Sequence, residues 1–276
     1  MNAMQLDEVI CHLPVLPHVV QRAIEVIDSD DVSQNEVVDI LSKDPGLVTQ
    51  LLGLANSPFY GLSGKVLSIQ KACVILGLHS IRNTLLGLGA MHAFPVDQGN
   101  VYDRKALWQH AHSVAGIARF LASRIGMEEG SAFTAGLLHD IGELVFDDCC
   151  HDRLHEALQY QQDNDCYGFE AEREAFGIDH AMLGAKLAQH WKVPAVVVNA
   201  IGGHHAMEPG SDTTQLGCLV NVSDFIWYAL QISKRDDILL PPLLVNCLAR
   251  IEVKWSQIRD WLPEIDALIQ NNISRL

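Results

Sequence analysis

One heptapeptide constrains this chain more than any other part of it. Gly136-Leu-Leu-His-Asp-Ile-Gly142 sets an imidazole beside a carboxylate inside an apolar run. Both groups are costly to bury unless something pairs with them. A divalent cation uses both, because neutral imidazole nitrogen and carboxylate oxygen are ordinary ligands of such ions. Adjacent residues on a helix diverge by about 100°, so His139 and Asp140 reach one ion only if other segments bring further ligands to the same place. By itself the dipeptide is more simply a helix end that happens to carry His-Asp. The supply of other buried-looking His and Asp residues decides between the two readings.

Those segments read as helices. Pro17 opens a helix to about Asp28, with Val20, Ile24 and Ile27 on one face. Ser33-Gln-Asn-Glu36 has the form of a capping box for a helix to about Lys43, and Asp44-Pro45 starts another that runs from Leu47 to about Asn56. Asn56-Ser-Pro-Phe-Tyr-Gly61 is loop chemistry. Ser68 caps a helix broken at Gly77, and Leu78 to about Phe94 forms the next. Pro95-Val-Asp-Gln-Gly-Asn100 is the best boundary, predicting a small helical lobe over 1–95 and a second over 96–276. Helices resume at Arg104. A polar, turn-rich region covers Asp147 to about Asp152, and an amphipathic helix follows to about Asn164. Asp179 caps a helix, Pro194 opens one over Ala195 to about Ile201 ahead of a loosened Gly202-Gly203, and another spans Leu216 to Leu230. The tail reads as two helices separated near Trp261-Leu-Pro263. Strand-like alternation is nearly absent, so the fold class is all-α.

Composition narrows the function. The 276 residues are 49% hydrophobic and 19% charged, which supports a real core and excludes a disordered chain. The net charge of −15 gains nothing from counterion release, so nucleic acid is not the expected partner. Seven scattered cysteines, without a C-x-x-C, fit reduced thiols in a cytoplasm better than a disulfide framework. Met1 to Glu8 lacks the basic and apolar parts of a signal peptide, and no apolar run reaches a membrane span of about 18 residues.

Further His and Asp residues interrupt apolar faces. His110 lies on a stripe with Val114, Ile117 and Leu121, whereas His112 shares a face with Gly116, Arg119 and Ser123 and is expected to point to solvent. His180 shares its face with Leu183, Leu187 and Trp191. His204-His205 follows the paired glycines, and Asp224 stands between Val220 and Trp227. Six positions therefore stand out: His110, His139, Asp140, His180, His204 or His205, and Asp224. Histidines and aspartates from separate helices suit one or two divalent ions, with an aspartate able to bridge. Fe, Mn, Mg and Zn are not distinguishable from such a set. No cysteine falls into a ligand-like pattern with it, which disfavours a structural zinc knuckle.

The order His110, His139-Asp140, Asp224 resembles the HD-domain superfamily of metal-dependent phosphohydrolases. His180 and His204-His205 resemble its two-metal HD-GYP phosphodiesterase branch. The fullest resemblance is to the HDOD domain, the HD-related output domain of bacterial signalling proteins. It is carried by Leu13-Pro-Val-Leu-Pro17, Asp44-Pro45, Leu51-Leu-Gly-Leu-Ala-Asn-Ser-Pro-Phe-Tyr-Gly61, Ser68-Ile-Gln-Lys-Ala72 with Leu76-Gly77, Trp108-Gln-His110, Leu137-Leu-His-Asp-Ile-Gly142 and Asp179-His180, over roughly residues 10 to 235. The resemblance implies a two-lobed regulatory protein acting through signalling partners or a small phosphorylated ligand. Alternatively, it implies a working phosphohydrolase or phosphodiesterase with Asp140 bridging the metals. Three departures bear on that choice. Glu143 stands where HD-GYP enzymes carry a phosphate-binding lysine, no Gly-Tyr-Pro follows His204-His205, and Ala106 stands where some relatives carry a third-metal glutamate.

Overall fold

The computed structural model describes residues 13–29, 31–56, 65–95, 99–206, 214–231, 240–244 and 246–273. Ser57-Pro-Phe-Tyr-Gly61, part of the most specific motif, lies outside them, as do residues 96–98 of the boundary at 95–100. Every regular element among the described residues is a helix, so the all-α expectation holds. Chain contacts divide the molecule into Pro14–Pro95 and the residues after Pro95, which Leu13 joins.

In the first unit, α1 (His18–Ile27), α2 (Gln34–Leu41), α3 (Pro45–Ala55) and α4 (Ile69–Ala93) pack through apolar stripes such as Val20, Val37, Leu41, Leu47, Leu51 and Leu85. Asp44 Oδ1 accepts from the Gly46 and Leu47 amides, and Ser68 accepts from Lys71, both as helix starts require. The Ser33 capping box does not form, since the Ser33 side chain makes no cap bond. Gly77, at φ 74° and ψ 154°, breaks α4 into two helical stretches where the sequence expects it. The Asn56 side chain bonds both the amide and the carbonyl of Val66, at 2.7 and 2.9 Å. Against the sequence expectation, α4 is long and apolar enough to cross a membrane. It is nevertheless mostly buried against α1, α2 and α3, kinked at Gly77, and carries Arg82 in a two-pronged pair with Asp28 at 2.7 and 2.9 Å.

The second unit positions the site. It contains α5 (Arg104–Ile125), α6 (Glu129–Leu138), α7 (Ile141–Cys149), α8 (His151–Asn164), α9 (Gly168–Phe176), α10 (His180–His190), α11 (Ala195–Gly203), α12 (Gln215–Gln231), α13 (Cys247–Arg250) and α14 (Trp255–Ile273). α5 packs on α6, α12 and α14, α10 packs on α7 and α11, and α11 also packs on α6 and α12. Two glycines set the closest approaches. A Cβ at Gly136 would sit 2.8 Å from Ala115 Cα, and one at Gly142 only 2.0 Å from the His180 carbonyl oxygen. Gly142 faces Gly184, so α7 and α10 touch backbone to backbone beside His139, Asp140 and His180.

Several boundaries differ from expectation. Asp147 does not sit in a turn. It is buried in α7, where it takes 2.9 and 2.7 Å bonds from Arg104 and the Val101 amide, so a partner across the fold draws it into the helix. α9 has no counterpart among the expected helices, because Glu170, Glu172, Arg173 and Glu174 mask its apolar positions Phe169 and Phe176. α11 continues through Gly202 and Gly203 because packing on α10 and α12 outweighs the cost of two helical glycines. The tail breaks at Ile251–Lys254, not at Pro263, which lies inside α14. Pro263 is exposed, so water can serve the backbone carbonyl that its missing N–H leaves free.

Candidate metal centre

His139 ends α6 and Asp140 precedes α7 as a two-residue turn. His139 keeps helical angles, but Asp140, at φ −97° and ψ 14°, does not. The two side chains therefore escape the angular divergence of a continuous helix. His139 Nε2 lies 3.0 Å from Asp140 Oδ2.

The other expected residues converge on this pair. His110 Nε2, from α5, lies 3.2 Å from His139 Nε2, 3.1 Å from Asp140 Oδ2 and 3.3 Å from Asp224 Oδ1 of α12. His139 Nε2 lies 3.9 Å from Asp224 Oδ1. On the other side, His180 Nε2 and His204 Nε2 lie 3.4 and 3.5 Å from Asp140 Oδ1. His205 joins them: one ligand atom from each of Asp140, His180, His204 and His205 lies within 4.8 Å of the rest. Each oxygen of Asp140 thus faces its own pair of histidines. Ligands about 2.0–2.3 Å from one ion stand roughly 3–3.6 Å apart, which is the spacing seen on both sides.

Outer contacts fix how the rings present themselves. His139 Nδ1 is 2.8 Å from the Gly136 carbonyl, and His204 Nδ1 is 2.6 Å from that of Ile201. A carbonyl only accepts, so each Nδ1 carries the proton and each Nε2 turns a bare lone pair to the cluster. Glu172 of α9 accepts from both His180 Nδ1 and the His180 amide at 2.7 Å. The Asn221 amide group donates to the His204 carbonyl and ties Pro242 and Leu244 to α12.

The cluster does not satisfy itself. The buried atoms His180 Nε2, His204 Nε2 and Asp224 Oδ1 lack hydrogen-bond partners. Acceptors that crowd one another out of reach of water need a positive charge among them. Protons supply it in the metal-free state. Burial opposes charge on His110, but the Asp140 and Asp224 carboxylates beside it outweigh burial and push its pKa up to about 10. His180 is likewise driven well above the ordinary histidine range, burial being outweighed by the charge and hydrogen bond of Glu172. Burial lowers His204, and burial with the neighbouring histidines lowers His205 further, so both stay neutral. Asp140 falls well below the carboxylate range, because the neighbouring His139 and His110 overcome its burial. The donor set, its orientation and its unmet acceptors fit divalent metal.

A pocket of about 170 Å³ opens on the cluster, with Asp140, Glu143, Glu172, His180, His205 and Asp224 in its lining. Glu143, at the position where a lysine would bind phosphate, is not simply a negative charge. Burial, then the charge of Asp140, pushes its pKa up to about 8, so without a cation nearby it keeps its proton at neutral pH. His112 stays out of the cluster but is not solvated. It is half-buried, bonds the Trp108 carbonyl at 2.9 Å, and burial lowers its pKa. Sequence reasoning missed Glu172. Its one signal was a place on the same helical face as Phe169 and Phe176, three residues after the first and four before the second.

The HDOD domain family matches residues 13–207. The chain belongs to the HDOD family. The matched span includes His110, His139, Asp140, His180, His204 and His205 and stops before Asp224, short of the reach to about 235 expected from the motifs. An uncharacterised protein of Treponema pallidum is 31% identical over 195 residues, which cover 70% of this chain and 37% of that protein. Ribonuclease Y 1 of Pediococcus pentosaceus is 30% identical over 136 residues, 49% of this chain and 20% of the enzyme. The chain thus spans well under half the length of these relatives. Among solved structures, a protein of Shewanella amazonensis provisionally named a phosphohydrolase is 25% identical, with a TM-score of 0.76 over 98% of this chain and 97% of that one. An HDOD domain protein of Geobacter sulfurreducens shares the fold at 24% identity, with a TM-score of 0.72 over 95% and 93% of the two chains.

Proposed function

We propose that this HDOD protein is a bacterial-type signalling module that holds one or two divalent ions, Fe, Mn, Mg or Zn, in its second unit. It would transmit their occupancy, or that of a small phosphorylated ligand, to protein partners. The observation that carries this reading is Asp140, whose two oxygens face separate histidine sets. His110, His139 and Asp224 would hold one ion with Oδ2, and His180 with His204 or His205 would hold the other with Oδ1. Such ions would tie together the α6–α7 turn, α5, α10, α12 and the end of α11, so loading would stiffen the whole unit.

A second reading, a phosphohydrolase or phosphodiesterase, is favoured by the pocket that opens on the ligand set. It is also favoured by the similarity to a ribonuclease and to a provisionally named phosphohydrolase. Bound ions would supply Lewis acidity toward a phosphate ester. The chain's own part would be to hold the rings in place through Glu172, Gly136 and Ile201, and to shield the reacting group within the pocket. Elemental analysis of protein purified without chelator tests the shared premise, with Asp140→Ala as the control. Phosphodiesterase and phosphatase assays with added Mn²⁺ or Fe²⁺, run beside thermal melts, separate the readings. Metal-dependent stabilisation without turnover is expected for the regulator, whereas turnover that vanishes in Asp140→Ala would replace it with the enzyme.

A further inference from the structure

The pocket beside the cluster is rich in carboxyl groups. Among the described residues lining it, Asp140, Glu143, Glu172 and Asp224 are acidic, and none is lysine or arginine. Much of the remaining wall is aromatic. Tyr102, Tyr167 and Tyr228 are half-buried and so keep surface available to the pocket. Phe169 backs Tyr167, with the rings 5.4 Å apart and their planes 9° from parallel. At the inner end, His180 Nε2 and Asp224 Oδ1 are nine-tenths buried or more and lack partners, so the pocket ends on atoms that await a ligand.

These features restrict what can enter. The charges of two divalent ions are cancelled by Asp140, Asp224 and a dianionic phosphate ester. Glu143 and Glu172 then remain beside the ester, with no lysine or arginine among the described lining residues to balance them. A second anionic group on the ligand would meet those carboxylates and no lysine or arginine. A cationic group would meet carboxylates and tyrosine faces together, and aromatic rings attract cations through their negative π faces.

Building on the metal-and-phosphate reading above, we infer that the pocket selects small phosphate monoesters bearing an amine or quaternary ammonium group. The phosphate faces the ions, and the cation lies against Glu143, Glu172 and the tyrosines. The test is calorimetric titration of the full chain loaded with Mn²⁺. The probes are phosphocholine, its uncharged isostere 3,3-dimethylbutyl phosphate, and inorganic phosphate. Phosphocholine should bind about tenfold more tightly than the isostere. Glu143→Gln and Tyr167→Ala, made separately in case one does not fold, should each narrow that ratio. Equal affinity for phosphocholine and the isostere, with inorganic phosphate still bound only in the presence of metal, would overturn the cation inference and leave the metal site standing. Failure of inorganic phosphate to bind with metal would overturn both.

Discussion

The two units of this chain use their interiors differently. In Pro14–Pro95 the buried polar side chains among the described residues are Arg82 and Asn83, and Arg82 is answered by Asp28. After Pro95, the interior holds His110, His139, Asp140, Glu172, His180, His204, His205 and Asp224 as well as the Arg104–Asp147 pair. Apolar stripes explain why the first unit folds. They do not explain why the second tolerates five imidazoles and three carboxylates, some with unmet acceptors, because unsatisfied buried groups cost about 1–3 kcal/mol each. The contrast teaches that the second unit carries a donor set that fits a cation, while the first is organised mainly by apolar packing.

Several experiments could break that contrast. The largest effect should follow Asp140→Ala, which removes the one group shared by both histidine sets. Metal-dependent protection from hydrogen exchange should disappear in the second unit and leave α1–α4 unchanged. Equal metal protection of both units in the wild type would contradict the comparison.

Gly142→Ala should come next. Its methyl group has nowhere to go beside the His180 carbonyl, so about 3 kcal/mol or more of stability should be lost, read as a lower denaturant midpoint. A near-neutral result would mean that the α7–α10 contact is looser than it looks.

Glu172→Gln keeps the size of the side chain but weakens the acceptor that orients His180. Metal affinity should fall about 10–100-fold with the fold retained, measured by competition against a chromogenic chelator.

Proton release gives a smaller signal of known sign. Without metal, His110 holds a proton with a pKa of about 10, raised above the ordinary histidine value. Its contribution to apo stability is therefore full below about pH 6.5 and is lost as the pH rises through 10. A metal ion must displace that proton, so affinity should increase with pH across this window. Calorimetry at neutral pH in buffers of different ionisation enthalpy should show protons leaving on binding, and no release would argue against His110 as a ligand.

The smallest effect belongs to the first unit and sharpens the contrast. Gly53 lies in α3, and beyond the backbone of its own helix no atom comes within 4 Å of the place an alanine methyl would take. Gly53→Ala should therefore stabilise the protein by about 0.5–1 kcal/mol in thermal melts.

Much of this was legible in the chain. Apolar spacing located most helices, because a stripe that must be buried repeats with the helical period whatever it packs against. Histidines and aspartates on apolar faces were legible for the same reason: His110, His139, His180 and Asp224 each break a pattern that is otherwise hydrophobic. Where those residues meet was settled only in three dimensions. The turn at Asp140 separates its oxygens between two sets of rings, the Gly142–Gly184 contact brings α10 close enough for His180 to reach them, and α9 delivers Glu172. Asp147 and Pro263 depart from their local signals for a related reason, since a distant partner or an exposed face overrides local preference. Periodicity records which face of each helix is buried, and that is a local property. The atom that a buried side chain points at depends on backbone turns and close approaches between segments far apart in sequence, and no local pattern encodes those.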